Sequence, residues 1–487
     1  MKWAPLILLC AGCTAAAQSA ALSSAIESVL AAAPELRGPI GIHVVDLASG
    51  STLYEKNSRM PLTPASNMKL LSTALALDRL GGGFRYETRV LAPSLPSPAG
   101  VVAKLRIVGA GDPTLSGRKY PYDKEADSGN PLAGLEDLAD QVVKMGVRRV
   151  GEVIGDDSLY PHDPTPEGWT SDDGNWAYGA PVSALTVHDN ALLVTIKPVE
   201  TSPLANVETR PATEYYTVFN GLRTGPDLPR RIEVFRQPGS KVVQIRGTTP
   251  PGGGAAAVSI AIDDPALYAA MAFKRLLEER GVIVRRAARA EHRLPGEAYR
   301  APEGAILARR TSAPLVQILE VINKLSQNLH AELVLLETAR QKRGEASREK
   351  AMEEMAAFLG DLGAAESDRD LFDGSGLSRR ALVTPETVTR TLARMHASHG
   401  EAFVSLLPAG GEEGTLAARF RGAPDAAAIR AKTGTISHVT ALSGYAGTDP
   451  ARRVAFSIIL NHQTAPAVEV RKLVDTIALE ILRKANP

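Results

Sequence analysis

Cysteine is nearly absent from this chain: among 487 residues there are only Cys10 and Cys13, both at the very start. If the first residues are removed, no disulfide is available, and a chain this long can build its core without one. Net charge is also nearly absent. Fifty-five Lys and Arg stand against fifty-four Asp and Glu, so there is no global field to capture nucleic acid or an anionic membrane. After the leader no stretch reaches about 18 consecutive apolar residues, which excludes a downstream spanning helix. Nine histidines occur without His-Glu-x-x-His or comparable ligand spacing, so the sequence predicts no metal site. Gly109–Gly111 and Gly252–Gly254 open no phosphate-binding helix and read as turns. There is no internal repeat.

What is present begins with a leader. Met1-Lys2-Trp3, an apolar run from Ala4 to Ala11 and the small residues Ala15-Ala16-Ala17 predict an export signal at 1–17, cleaved after Ala17. The alternative is lipidation of Cys13, preceded by Ala11-Gly12, which would tether the chain to a membrane. Against it, Cys10 stands where a large aliphatic residue is usual. The expected location is therefore exported and periplasmic, with the lipid anchor as the alternative.

The length predicts more than one domain, or one domain carrying a large insertion. A helix is expected over Ala20–Ala33, then strands Ile40–Leu47 and Ser51–Glu55 around Ser49-Gly50, then an apolar buried helix from Pro64 to the stop at Gly81-Gly82-Gly83. From about 88 to 300 the texture becomes short β-like segments rich in proline and glycine, with few long helices. Ile232 and Val234 alternate against Val243 and Ile245 across Pro238-Gly239, a hairpin pattern. Helices return from Thr311, and three strands near Ile429–Thr435, Val439–Ala446 and Val454–Asn461 precede an amphipathic helix over Val468–Lys484. The expected domains are 18–87 plus 301–487, sharing one sheet built from both ends of the chain, and an inserted β-rich region at 88–300 of two subdomains.

Three strings carry the chemistry: Ser66-Asn67-Met68-Lys69, Ser326-Gln327-Asn328 and Lys432-Thr433-Gly434. They supply the parts of a serine acyl-transferase that uses lysine in place of histidine. Ser-x-x-Lys recurs at Ser116/Lys119 in a proline-flanked loop and at Ser347/Lys350 on a charged helix face, settings that would not desolvate a lysine. At Ser66 the lysine lies one turn along an apolar helix, so hydroxyl and amine share a face, and burial would disfavour the ammonium form. Ser66 is the expected nucleophile and Lys69 its base. Ser-x-Asn also occurs at Ser128-Gly129-Asn130, where turn chemistry explains it. The copy between helices makes Ser326 the proton relay and Asn328 a substrate ligand. Lys432 would attract a peptide carboxylate and depress the pKa of Lys69, Gly434 would admit substrate backbone, and the N–H groups of Thr435 and Ser66 would hold the oxyanion, worth about 3 kcal/mol per donor.

These strings, with Gly111-Asp112-Pro113-Thr114-Leu115, Gly155-Asp156-Asp157-Ser158, Tyr178–Ala184, Asp373–Arg379 and Gly414-Thr415-Leu416 with Arg419, resemble the class C low-molecular-mass penicillin-binding proteins, the D-alanyl-D-alanine carboxypeptidase/endopeptidases. So does the separation of Ser66 from Ser326. The resemblance implies an α+β fold of the penicillin-recognising transpeptidase type, an antiparallel sheet flanked by helices and interrupted by a β-rich insertion. It implies an acyl-enzyme on Ser66, peptidoglycan stem peptides as substrates, β-lactam antibiotics as covalent inhibitors, and no cofactor. By position it implies that Asp173 and Arg379 line a pocket for a diaminopimelate side chain. Ser437, Ala381 and Ser171 depart from residues common in the family and bear on side-chain preference. The rival readings are a β-lactamase, against which no Glu-x-x-Leu-Asn segment lies between Ser326 and Lys432, and an inactive cell-wall scaffold of the same fold.

Overall fold

The computed structural model describes residues 6–125, 129–199, 202 and 204–485. Met1–Pro5 of the leader and Ser128 of the second Ser-x-Asn string lie outside the described residues. Two compact units emerge: Met1–Gly82 with Leu319–Gly344 and Arg348–Pro487, and Gly83–Ile318 with Glu345–Ser347.

The first unit holds a five-stranded antiparallel sheet in the order Ile429–Ile436, Val439–Ala446, Val454–Leu460, Ile40–Asp46, Thr52–Lys56. Both ends of the chain contribute to it, as the sequence predicts. Side chains alternate along a strand, and here each face has its own task. Val454, Phe456, Ile458 and Leu460 join an apolar core with Leu22, Ile26, Val474 and Ile477, drawn from the helices Leu6–Ala31 and Ala467–Ala485. Ser457 points the other way, toward Ser443. Because both faces are covered, every residue of Val454–Leu460 is buried, and the strand reads as a nearly unbroken apolar run. The first helix starts at Leu6, earlier than the expected Ala20, since the alanine-rich stretch has high helix propensity throughout.

In the second unit the largest sheet runs Ile283–Val284, Arg149–Pro161, Val101–Val108, Glu87–Ala92, Ala305–Thr311, with Arg289–Arg293 also pairing on Arg149–Pro161. Two three-stranded sheets accompany it, and one buried apolar cluster draws residues from all three sheets. The Val234–Ile245 pairing forms as expected. Two features differ from the expectation. Glu87–Ala92 pairs with Ala305–Thr311, so the unit closes outside 88–300, near Gly83 and Ile318. Val101–Val108 and Arg149–Pro161 are parallel, and the helix Ala133–Lys144 lies between them in sequence. Leu135, Leu138, Ala139 and Val142 are its buried stripe, the i, i+3, i+4, i+7 spacing of an amphipathic helix. Among the described residues no helix is long and apolar enough to cross a membrane.

Candidate active site

Ser66 sits in a single turn of 3-10 helix, Ala65–Asn67, that leads into the helix Met68–Leu80. Ten residues of that helix, Met68 to Leu77, are buried, which fits its nearly continuous apolar sequence. The turn is strained, since Ala65 has φ +47°, a region that L-residues avoid. Packing holds it there. A Cβ on Gly376 would lie 1.8 Å from the Ala65 carbonyl oxygen, and one on Gly434 would lie 2.7 Å from that of Pro64. Gly434 therefore lets the strand Ile429–Ile436 approach the serine turn, where the sequence suggested an approach by substrate. Asn67 completes the anchor: its Nδ2 donates to Ser443 Oγ (2.6 Å), which donates to Ser457 Oγ (2.9 Å).

Lys69 is fully buried, with Nζ 2.8 Å from Ser66 Oγ, 2.6 Å from Asn328 Oδ1 and 2.7 Å from the Ser375 carbonyl oxygen. Burial lowers its pKa to about 7, although the charges of Asp373 and Glu332 act in the opposite direction. Lys432, also fully buried, lies 2.9 Å from Ser326 Oγ and 2.8 Å from the Thr433 carbonyl oxygen. Its pKa is also held well below the ordinary lysine value, first by burial and then by Lys69. The expected influence of Lys432 on Lys69 is not among the causes at Lys69; it runs the other way, from Lys69 to Lys432, and desolvation dominates at both sites. Two amines whose burial disfavours the ammonium form, each on a serine hydroxyl, can carry a proton away from one oxygen and deliver it at another.

Ser326 links the helices Leu315–Leu325 and Asn328–Arg343 at φ +60°. Gly414 backs it closely, because a Cβ there would meet the Lys324 carbonyl at 2.1 Å. Next to it, Thr433 Oγ1 donates to Thr415 Oγ1 at 2.9 Å. The cleft over these groups is about 550 Å³ and is lined by Ser66, Ser326, Thr415, Arg419, Thr433 and Thr435. The exposed cations Arg421, Arg471 and Lys472 add positive charge to its wall, whereas Arg419 is ion-paired with Asp475.

The three strings therefore converge, and their duplicates do not resemble the site. Lys119 is exposed, and Lys350 pairs with Glu353 (2.7 Å), which raises its pKa. Arg379 is exposed in the first unit. Asp173 belongs to the second unit, where it is buried and its Oδ2 accepts the Thr170 N–H at 2.9 Å. Sequence reasoning gave no role to the support beneath Lys69. Glu332 Oε1 accepts the N–H groups of Gly374 (2.9 Å) and Ser375 (2.8 Å), and Asp373 accepts from Ser375 Oγ, Gly376 N and Ser378 N. A glutamate four residues past Asn328 on an apolar helix face was the available signal.

Known proteins share this arrangement of chain. Residues 22–481 match the family model described as D-Ala-D-Ala carboxypeptidase 3 (S13). A D-alanyl-D-alanine carboxypeptidase of an Actinomadura species is 34% identical over 449 residues, which cover 89% of this chain and 80% of that protein. The crystal structure of penicillin binding protein 4 from Haemophilus influenzae superposes with a TM-score of 0.78 at 20% identity, covering 94% of this chain and 98% of the other. That protein complexed with a β-lactam gives a TM-score of 0.72 at 20% identity, covering 93% of this chain and 98% of the other. With a match that spans the sheet, the inserted unit and all three strings, the chain belongs to the D-Ala-D-Ala carboxypeptidase 3 (S13) family.

Proposed function

We propose that this protein is an exported serine D-alanyl-D-alanine carboxypeptidase that also cuts D-amino-acid cross-links between peptidoglycan stems. One observation carries the reading: a fully buried Lys69 Nζ stands 2.8 Å from Ser66 Oγ, and a second buried lysine stands 2.9 Å from Ser326 Oγ. Neutral Lys69 takes the Ser66 proton as Oγ attacks the carbonyl carbon of the penultimate D-alanine. The negative oxygen of the tetrahedral intermediate faces the N–H groups of Ser66 and Thr435. Ser326 passes a proton to the leaving nitrogen, the C–N bond breaks, and D-alanine departs from an ester on Ser66. Water then hydrolyses the ester and regenerates the hydroxyl.

Asn328 orients Lys69 and the peptide, and Lys432 with Thr433 receives the terminal carboxylate. Gly434 keeps the strand close to Ser66. Asp173 and Arg379 are assigned to the side chain of the third stem residue on resemblance. The leader sequence supports export to the periplasm, with Cys13 as the alternative anchor. A β-lactam enters the same sequence of bonds, but its leaving nitrogen stays tethered in the acyl-enzyme. Labelled penicillin tests the reading together with peptidoglycan digestion. A long-lived adduct on Ser66, released D-alanine and split cross-links are expected. Rapid turnover of penicillin without D-alanine release would make the protein a β-lactamase, and inertness toward both would make it a scaffold.

A further inference from the structure

The sequence scatters its histidines, yet the second unit gathers two of them with a carboxylate. The strand Arg149–Pro161 carries Asp157 and ends just before His162, and the strand Arg289–Arg293 carries His292. These strands pair in parallel with an irregularity: Glu291 sits opposite Asp156, but Arg293 sits opposite Pro161. The extra residues bow the longer strand, as bulges do, and bring Asp157 and His162 together beside His292. One donor atom from each of Asp157, His162 and His292 lies within 4.8 Å of the other two.

Asp157 and His292 are each held from behind. Ser183 Oγ donates to Asp157 Oδ2 at 2.8 Å, while Asp157 Oδ1 lies 2.8 Å from His292 Nδ1. On the far side of the ring, His292 Nε2 is 3.6 Å from Asp264 Oδ2. Asp264 is itself fixed, because its Oδ1 caps the helix Pro265–Glu279 by accepting the Leu267 N–H at 2.9 Å. The His162 and His292 rings lie with centroids 4.2 Å apart. A carboxylate behind a histidine selects the tautomer whose other nitrogen faces the metal, a recurring feature of zinc sites.

We propose that Asp157, His162 and His292 form a binding site for a borderline divalent cation of the zinc type, with Asp264 as the outer carboxylate that orients His292. Two imidazole nitrogens and one carboxylate oxygen suit zinc and disfavour magnesium or calcium. Bonds of about 2.1 Å in a tetrahedron set donors about 3.4 Å apart, so the present spacing closes with small side-chain rotations. Asp157 is buried while both histidines are half-buried, which leaves an entry path and room for a water as fourth ligand. The cation binds His292 at Nδ1, the nitrogen that faces Asp157, while Nε2 faces Asp264. It would tie the bowed strand to its neighbour through three side chains 135 residues apart at the extremes, from Asp157 to His292.

The test uses the full chain stripped with a chelator and titrated with zinc chloride, then with cobalt chloride for its visible spectrum. One equivalent should bind in calorimetry, and the cobalt form should show four-coordinate bands. His162→Ala should weaken zinc binding about 100-fold without lowering the melting temperature in chelator. Asp264→Asn should weaken it about 10-fold to 100-fold. Substitution of the exposed His438 should change nothing. Absence of stoichiometric zinc uptake, or uptake unchanged in His162→Ala, would overturn the site.

Discussion

Lys69 and Glu332 are joined through one residue, Ser375, whose carbonyl accepts from Lys69 Nζ at 2.7 Å and whose N–H donates to Glu332 Oε1 at 2.8 Å. Both charged groups are fully buried. Burial moves them toward each other, Lys69 down to about 7 and Glu332 up to about 7. The peptide between them is fixed at both ends, so the lysine cannot swing away from Ser66 without breaking a bond to a buried partner. Lys69 is positioned by a loop, and the loop is positioned by a carboxylate.

The pH dependence of acylation follows from Lys69. The neutral amine is the form that accepts the Ser66 proton, so kcat/KM on a D-Ala-D-Ala peptide should rise as pH increases through about 7. Lys69→Arg should lose activity throughout, because guanidinium stays charged. A profile flat between pH 5 and 9 would remove Lys69 from the role of base.

Stability should respond to the same pair with opposite signs. Lys69 has a folded pKa below its unfolded value, so between about 7 and the ordinary lysine range the unfolded chain holds more protons, and stability rises with pH. Glu332 has a folded pKa above its unfolded value, so from the ordinary carboxylate range to about 7 the folded chain holds more protons, and stability falls as pH rises. Urea unfolding of Glu332→Gln across pH should lack the falling limb, and that of Lys69→Met should lack the rising one.

Glu332 should matter to the loop as an acceptor. In Glu332→Ala the N–H groups of Gly374 and Ser375 lose their partner in a buried setting, at about 1–3 kcal/mol for each. Penicillin acylation should slow as the Ser375 carbonyl loses its fixed position. Glu332→Gln retains an acceptor oxygen and should recover most of the acylation rate. Equal rates in the Ala variant and the unaltered protein would show that Lys69 needs no such support.

Gly376 should be intolerant of any side chain. Its φ is +75°, and a Cβ would lie 1.8 Å from the Ala65 carbonyl oxygen. Gly376→Ala must displace the serine turn, since backbone stands on the other side of the contact. Strain of about 1–3 kcal/mol is expected, with a fall in β-lactam acylation larger than the change in melting temperature would suggest.

Removing the Ser326 hydroxyl should separate binding from proton transfer. Lys432 Nζ keeps its bond to the Thr433 carbonyl, so its place in the cleft persists in Ser326→Ala. The relay to the leaving nitrogen is lost, and kcat should fall by about 100-fold or more while KM changes little. Stopped-flow acylation with a chromogenic cephalosporin would measure the step directly.

The strands and helices around the site were legible because their patterns are local. The strand Val439–Ala446 and the helix after Ser66 carry their own periodicity, and Gly81 stops that helix at φ +77° as a glycine should. The helix Ala133–Lys144 was not read, although it carries an apolar stripe, because proline and glycine surround it. The parallel pairing of Val101–Val108 with Arg149–Pro161 was not legible, since strand direction depends on a crossover. The three-string order was enough to single out Ser66, Lys69, Ser326 and Lys432 as candidates, because a reaction that needs a nucleophile, a relay and two amines limits the residue types, and the structure brings the four together. What surrounds them was hidden: Ala65 adopts a positive φ through contacts with Gly376 and Gly434, residues 311 and 369 positions away in sequence.

The sequence by itself therefore determined the parts of the reaction, their order and the family, because chemistry restricts which side chains can serve and local patterns place them on a helix, a loop and a strand. Only the tertiary structure decided that two lysines lie fully buried, with their pKa values pushed down by that burial, and that Gly434 serves the serine turn. It also decided that Glu332 supports the base, and that Asp157, His162 and His292 meet. The reason is physical. Desolvation, close backbone approach and the convergence of ligands are properties of space, set by segments hundreds of residues apart, and no local window of the chain contains them.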